Sequence, residues 1–215
     1  MTLRVLLVAP EALGVPRLGW VDELTAIAGV EGVELAVCGG LTATRAGVAA
    51  RLRCEWDVII WSGHGAPGRL LLADGPVGAD WLACMMRQQP PGVVVLSACF
   101  SGARDEALHS IAETLSQSSV TCVGMWVEVE DRAAVVYDVE FVRAYASGGS
   151  VAVAHRVAVQ QVALEYPGQA GAAFLLPGLV NGYGKIRDEL AAITRRLAVV
   201  EEKLDGLLSI GTRSA

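Results

Sequence analysis

The sequence has little positive charge. Its 17 Lys and Arg stand against 23 Asp and Glu, a net charge of -6, with an isoelectric point near 5.1. A chain of this balance has no general attraction for a phosphate backbone, which argues against nucleic acid as a partner. It also lacks any apolar run of about eighteen residues, so no segment is expected to span a bilayer, although mean hydropathy is +0.46. The apolar stretch Leu3–Ala9 is too short for a signal-peptide core and reads as a first strand. No Gly-x-Gly-x-x-Gly follows it and no Gly-x-x-x-x-Gly-Lys-Ser/Thr occurs, which argues against a nucleotide-binding domain. The cysteines Cys38, Cys54, Cys84, Cys99 and Cys122 are odd in number and scattered, with no Cys-x-x-Cys or Cys/His cluster. Neither a metal site nor a disulfide framework is expected, and no cofactor is implied. Reduced thiols without a leader point to the cytoplasm.

Apolar residues are abundant: 53% hydrophobic against 19% charged, enough for a sizeable core in 215 residues. Strand candidates fall at Arg4–Val8, Val33–Val37, Val58–Trp61, Val93–Ser97, Val120–Gly124 and Ala172–Leu176. They are continuously apolar, as strands covered on both faces are. Helix candidates lie between them near 18–28, 42–53, 79–88, 104–117, 131–146 and 149–164. Such alternation predicts a mainly parallel six-stranded sheet between helical layers, a three-layer α/β sandwich. The segment Gly68–Gly75 predicts a short hairpin closed near Asp74-Gly75.

The pattern changes after Pro177-Gly178. Ile186, Leu190, Ile193, Leu197, Val200, Leu204 and Leu207 are spaced alternately by four and three, a heptad seam. This divides the chain into a domain over 1–178 and a coiled-coil helix over 179–215. Leucines at a with Ile186, Ile193, Val200 and Leu207 at d favour a parallel tetramer among homo-oligomers. The same helix could instead join a partner's coil, or pack its stripe on its own domain.

Two residues carry candidate chemistry. His64 follows the strand candidate Val58–Trp61 within Ser62-Gly63-His64-Gly65, and Cys99 follows Val93–Ser97 within Ser97-Ala98-Cys99-Phe100. Both lie at the C-terminal ends of neighbouring parallel strands, where open α/β sheets place their ligand and catalytic groups. A cysteine and a histidine so placed can serve as nucleophile and proton carrier. A helix starting just after Cys99 would aim its positive end at the sulfur. The bare pattern fits equally a core cysteine and a histidine that caps a strand. His109 and His155 read as ordinary helical histidines, and the remaining cysteines as small buried hydrophobes.

The segment from Trp56 to Gly178 resembles the CHAT family of caspase-like cysteine peptidases, relatives of caspases, separases and clostripain-type enzymes. The matching features, in order, are Ser62-Gly63-His64-Gly65, the Gly68–Gly75 hairpin and Leu96-Ser97-Ala98-Cys99-Phe100-Ser101-Gly102. Gly124-Met125-Trp126-Val127 with Asp131, then Gly148-Gly149-Ser150-Val151-Ala152, then Ala172–Gly178 complete the series. Phe100 departs from the pattern, where relatives usually carry a polar residue. No motif matches in the first fifty residues. The resemblance implies a caspase-like fold and a cysteine endopeptidase acting on protein or peptide substrates, often as a regulated bacterial effector. It implies a His64/Cys99 dyad with an oxyanion hole from the backbone N–H groups of Gly65 and Cys99. It leaves Trp126 as a cleft residue, and Asp74, Glu128 and Asp131 as candidate specificity carboxylates. Asp74 reads equally as a turn residue, and Asp131 as a helix N-cap. The competing expectation is a non-catalytic interaction scaffold on the same fold.

Overall fold

The structure, a computed structural model, describes residues 2–99, 101 and 110–178. The heptad seam Ile186–Leu207, His109 and Phe100 lie outside the described residues. In chain order the elements are β1 (Leu3–Pro10), α1 (Trp20–Ala28), β2 (Val33–Gly40), α2 (Arg45–Arg51) and β3 (Val58–Ser62). Three short strands follow, β4 (Gly65–Ala66), β5 (Arg69–Leu72) and β6 (Gly75–Gly78), then α3 (Ala79–Met86) and β7 (Val93–Ser97). The chain continues with α4 (Ile111–Gln117), β8 (Cys122–Met125), α5 (Asp131–Ala146), α6 (Val151–Glu165) and β9 (Ala173–Leu176).

The main sheet has six strands in the order β2-β1-β3-β7-β8-β9. All neighbours pair in parallel except β8 with β9. Period-2 alternation sends successive side chains to opposite faces. Leu6, Val8, Ile59, Trp61, Val94 and Leu96 therefore pack with residues of α2, α3 and α4 such as Val48, Leu82 and Leu115. Val5, Leu7, Val58, Ile60, Val93 and Val95 pack with residues of α1, α5 and α6 such as Ile27, Phe141 and Ala158. The result is the three-layer sandwich that the unbroken apolar strands predict. Each fully buried Leu, Ile or Val contributes about 1.5–3 kcal/mol, and β3 and β7 are buried over their whole length.

Several boundaries differ from the sequence expectation. The helix expected over 42–53 starts at Arg45, because the Thr44 hydroxyl accepts the Gly47 N–H at 3.2 Å and fixes the N-cap. The described helix within 104–117 starts at Ile111, where Ser110 and Glu113 form a reciprocal capping box. Ser119 adopts a positive φ of 69°, so β8 begins at Cys122 rather than Val120. The hairpin turns at Ala73-Asp74, since Leu72 pairs with Gly75, and β4 joins it as a third strand.

Candidate active site

Ser62 and Ser97 end β3 and β7, and they are partners in the parallel register. His64 and Cys99 each follow two residues later, so the two chain segments leave the sheet side by side. The Gly63 N–H still reaches the Ser97 carbonyl at 3.4 Å. At Gly65 the segments touch: a Cβ there would lie 2.6 Å from the Cys99 carbonyl oxygen and 3.1 Å from the Ala98 Cβ. Only glycine permits this approach of backbone to backbone. The Leu71 N–H donates to the His64 carbonyl at 3.0 Å, fastening the histidine segment to the small sheet.

Two backbone groups complete the surroundings. Nε2 of His64 lies 2.7 Å from the Pro16 carbonyl oxygen, in the segment between β1 and α1. A carbonyl only accepts, so this contact places the proton on Nε2 and leaves Nδ1 as the basic nitrogen. The Val129 N–H donates to Cys99 Sγ at 3.4 Å. The same sulfur lies 3.9 Å from the Val129 carbonyl oxygen, so Val129 meets it with both backbone groups. Neither partner was foreseeable from residue type, because a carbonyl and an amide N–H are common to nearly every residue. The helix expected to begin just after Cys99 falls largely within residues 102–109, outside those described.

The other singled-out residues have definite places. Trp126 is 46% exposed and stacks on Phe174 with ring centroids 3.9 Å apart. Glu128 is exposed on the same segment, one residue before Val129. Asp131 is the first residue of α5 rather than its N-cap, which is Glu130. Its Oδ2 accepts the Gly19 N–H at 2.8 Å, joining the segment over His64 to the segment over Cys99. Both carboxylate oxygens of Asp74 accept the Arg45 N–H, at 3.0 and 3.1 Å. This engages Asp74 at the start of α2, where a carboxylate meets the positive end of the helix. His155 Nδ1 meets the Tyr137 hydroxyl at 2.6 Å, and burial pushes its pKa down. Cys38 and Cys122 are buried as expected, and burial raises both thiol pKa values. Cys54 and Cys84, expected to be buried, are exposed. Among the described residues, no group of three or more His, Cys, Asp or Glu could hold a metal ion.

One cluster had no sequence signal. Glu23 on α1 and Asp138 on α5 are both fully buried beside Ser62 and Ser97. The Ser97 hydroxyl donates to Asp138 Oδ1 at 2.6 Å. Burial, and then the charge of the other carboxyl, pushes Asp138 well above the ordinary carboxylate range. Burial is also the main cause that raises Glu23, which lies close to Ser62 and Asp138. Even so, neither Glu23 oxygen nor Asp138 Oδ2 makes a hydrogen bond of normal geometry.

No protein-family model matches the sequence, and no curated protein does. Solved structures do resemble it. Gingipain R, an Arg-specific cysteine proteinase, superposes with a TM-score of 0.63 at 11% identity over 82% of this chain and 46% of its own. The Porphyromonas gingivalis pro- and mature-domain complex of the same proteinase gives 0.60 at 10% identity, over 82% of this chain and 48% of that one. Caspase-1 from Spodoptera frugiperda gives 0.54 at 12% identity, covering 83% of this chain and 88% of its own. This chain thus spans about half the length of the gingipain chains. The likeness establishes a caspase-like fold.

Proposed function

We propose that the protein is a cysteine endopeptidase with His64 and Cys99 as its catalytic dyad. The observation that carries this reading is the contact of the two segments at Gly65, beyond register-paired ends of β3 and β7. In this reading Nδ1 of His64 takes the Cys99 proton while Nε2–H stays on the Pro16 carbonyl. The thiolate, supported by the Val129 N–H, attacks the scissile carbonyl carbon. The backbone N–H groups of Gly65 and Cys99 bind the oxyanion that develops. Collapse breaks the C–N bond, and the imidazolium gives its proton to the departing amine. Water, with its proton taken by His64, then cleaves the thioester and frees the acid.

The order of motifs from Trp56 to Gly178 supports placing the chain with the CHAT peptidases, and its acting in the cytoplasm as a regulated bacterial effector follows from that resemblance. The peptidase domain then covers 1–178. The heptad seam over 179–215 supports an oligomerisation helix, a tetramer foremost, or a coil shared with a partner. Trp126 and Glu128 would line the substrate cleft.

Labelling of the full chain with a peptidyl acyloxymethyl ketone tests the dyad. Covalent addition at Cys99 that disappears in His64→Ala is the expected result. Equal labelling in His64→Ala, or peptide cleavage retained by Cys99→Ala, overturns it.

A further inference from the structure

We infer that Glu23 and Asp138 form the floor of the pocket that takes the substrate side chain preceding the scissile bond, and that this side chain is basic, lysine or arginine. The inference rests on the peptidase reading and adds its substrate class.

Ser62 and Ser97 share a face with Val58, Ile60, Val93 and Val95, which pack against α1 and α5. Glu23 and Asp138 come from those same helices. The acidic pair therefore sits directly beneath the last residues of the two strands that carry His64 and Cys99. Both carboxyl residues are 0% exposed, whereas Ser62 and Ser97 each keep 7% of their surface open. The Ser97 hydroxyl touches the pair directly, donating to Asp138 Oδ1 at 2.6 Å.

Three acid oxygens, Glu23 Oε1 and Oε2 and Asp138 Oδ2, are buried and make no hydrogen bond of normal geometry, although Glu23 interacts with Ser62 and Asp138. The groups that act on the pair are Ser62 from β3, Ser97 from β7 and Asp131 from the start of α5. None of them is basic. Packing alone does not account for two like carboxyls here, because apolar residues of similar size would be more stable. The missing partner is a cation with several N–H donors. A guanidinium or an ammonium meets that description, and a carboxylate or an aliphatic side chain does not.

The distance also fits. Cys99 lies two residues beyond Ser97, in the turn closed by the Ser101 N–H on the Ala98 carbonyl, so at most about 7 Å separates their Cα atoms. That is within the reach of an extended lysine or arginine side chain from a backbone held at the sulfur. A cation entering past Ser62 and Ser97 would favour both acids as carboxylates, with their protons passing to solvent.

The test compares labelling rates at Cys99 of the full chain with peptidyl acyloxymethyl ketones ending in Lys, Leu or Asp, read by intact mass. The Lys probe is expected to react at least about 100-fold faster than the other two. Glu23→Gln and Asp138→Asn keep the side-chain volume and should each reduce that preference to about 10-fold or less. Their His64-dependent reaction with iodoacetamide at Cys99 should persist. Wild-type protein that prefers the Leu or Asp probe overturns the inference while leaving the peptidase reading intact. So does a Lys preference that survives in the double variant. Should a variant fail to fold, the wild-type order of the three probes decides. If neither the ketones nor iodoacetamide reacts at Cys99 in a His64-dependent way, the peptidase reading falls and this inference falls with it.

Discussion

Gly65 stands so close to Cys99 that a Cβ at residue 65 would lie 2.6 Å from the Cys99 carbonyl oxygen. The contact is between backbones, so neither side can swing away as a flexible side chain would. It ties the geometry of the histidine segment to that of the cysteine segment.

Gly65→Ala must therefore push the two segments apart. Displacements of about 1 Å in a reacting site cost about 100-fold in rate. The expected outcome is a loss of at least about that size in kcat/KM on a peptide substrate, with the fold retained by circular dichroism. Full activity in Gly65→Ala would show that the oxyanion site does not depend on this contact.

Asp131 offers a subtler test. Its carboxylate receives the Gly19 N–H at 2.8 Å, and the segment ending at Gly19 carries the Pro16 carbonyl that holds His64. Asp131→Ala removes a charged acceptor, a loss of about 1.5–3 kcal/mol in stability. If Asp131 acts by positioning, the variant should also lower kcat while KM stays nearly constant, and Asp131→Asn should recover most of it. A change in substrate preference instead would assign Asp131 to the specificity pocket.

The thiols give a third prediction. Cys54, Cys84 and Cys99 have exposed or half-buried sulfurs, whereas Cys38 and Cys122 are buried. Brief treatment with limiting iodoacetamide at neutral pH should modify Cys99 first, because the proposed base His64 serves that thiol and the Val129 N–H points at its sulfur. Cys54 and Cys84 should follow at the rate of ordinary thiols. Peptide mass mapping reads the order, and modification of Cys54 or Cys84 ahead of Cys99 would contradict an activated thiolate.

Strand identity was legible in the sequence because a covered parallel strand must be apolar along its length; Val93–Ser97 falls where the run of valines predicts. The helix Asp131–Ala146 is likewise found over its expected range. That His64 and Cys99 each follow a buried strand could be read from the sequence, since each comes just after an apolar run. The partners of these two residues could not. The Pro16 carbonyl and the Val129 N–H have no side-chain signature. Glu23 and Asp138 look like ordinary charges in amphipathic helices, within Val21-Asp22-Glu23-Leu24 and Tyr137-Asp138-Val139. Only the packing of α1 and α5 on the sheet brings them under the same two serines.

That buried pair yields a prediction about stability and pH. Burial raises both carboxyls above their unfolded values, and the charge of Glu23 raises Asp138 further. The folded state therefore holds their protons more tightly than the unfolded chain does. Their contribution is fully favourable below the ordinary carboxylate pKa, and it is lost as pH rises through the raised folded values. Asp138→Asn replaces one acid with an amide that still accepts from Ser97 and can donate to Glu23. It should leave stability nearly unchanged at acidic pH and increase it at neutral and alkaline pH. A gain of about 1 kcal/mol there would raise Tm by about 2–4 °C. Thermal unfolding of both proteins across that range checks the sign. A variant that is less stable than wild type at alkaline pH would mean that the Asp138 carboxylate is already matched by a cation in the resting protein, and that the pocket floor is not waiting for a substrate to supply one.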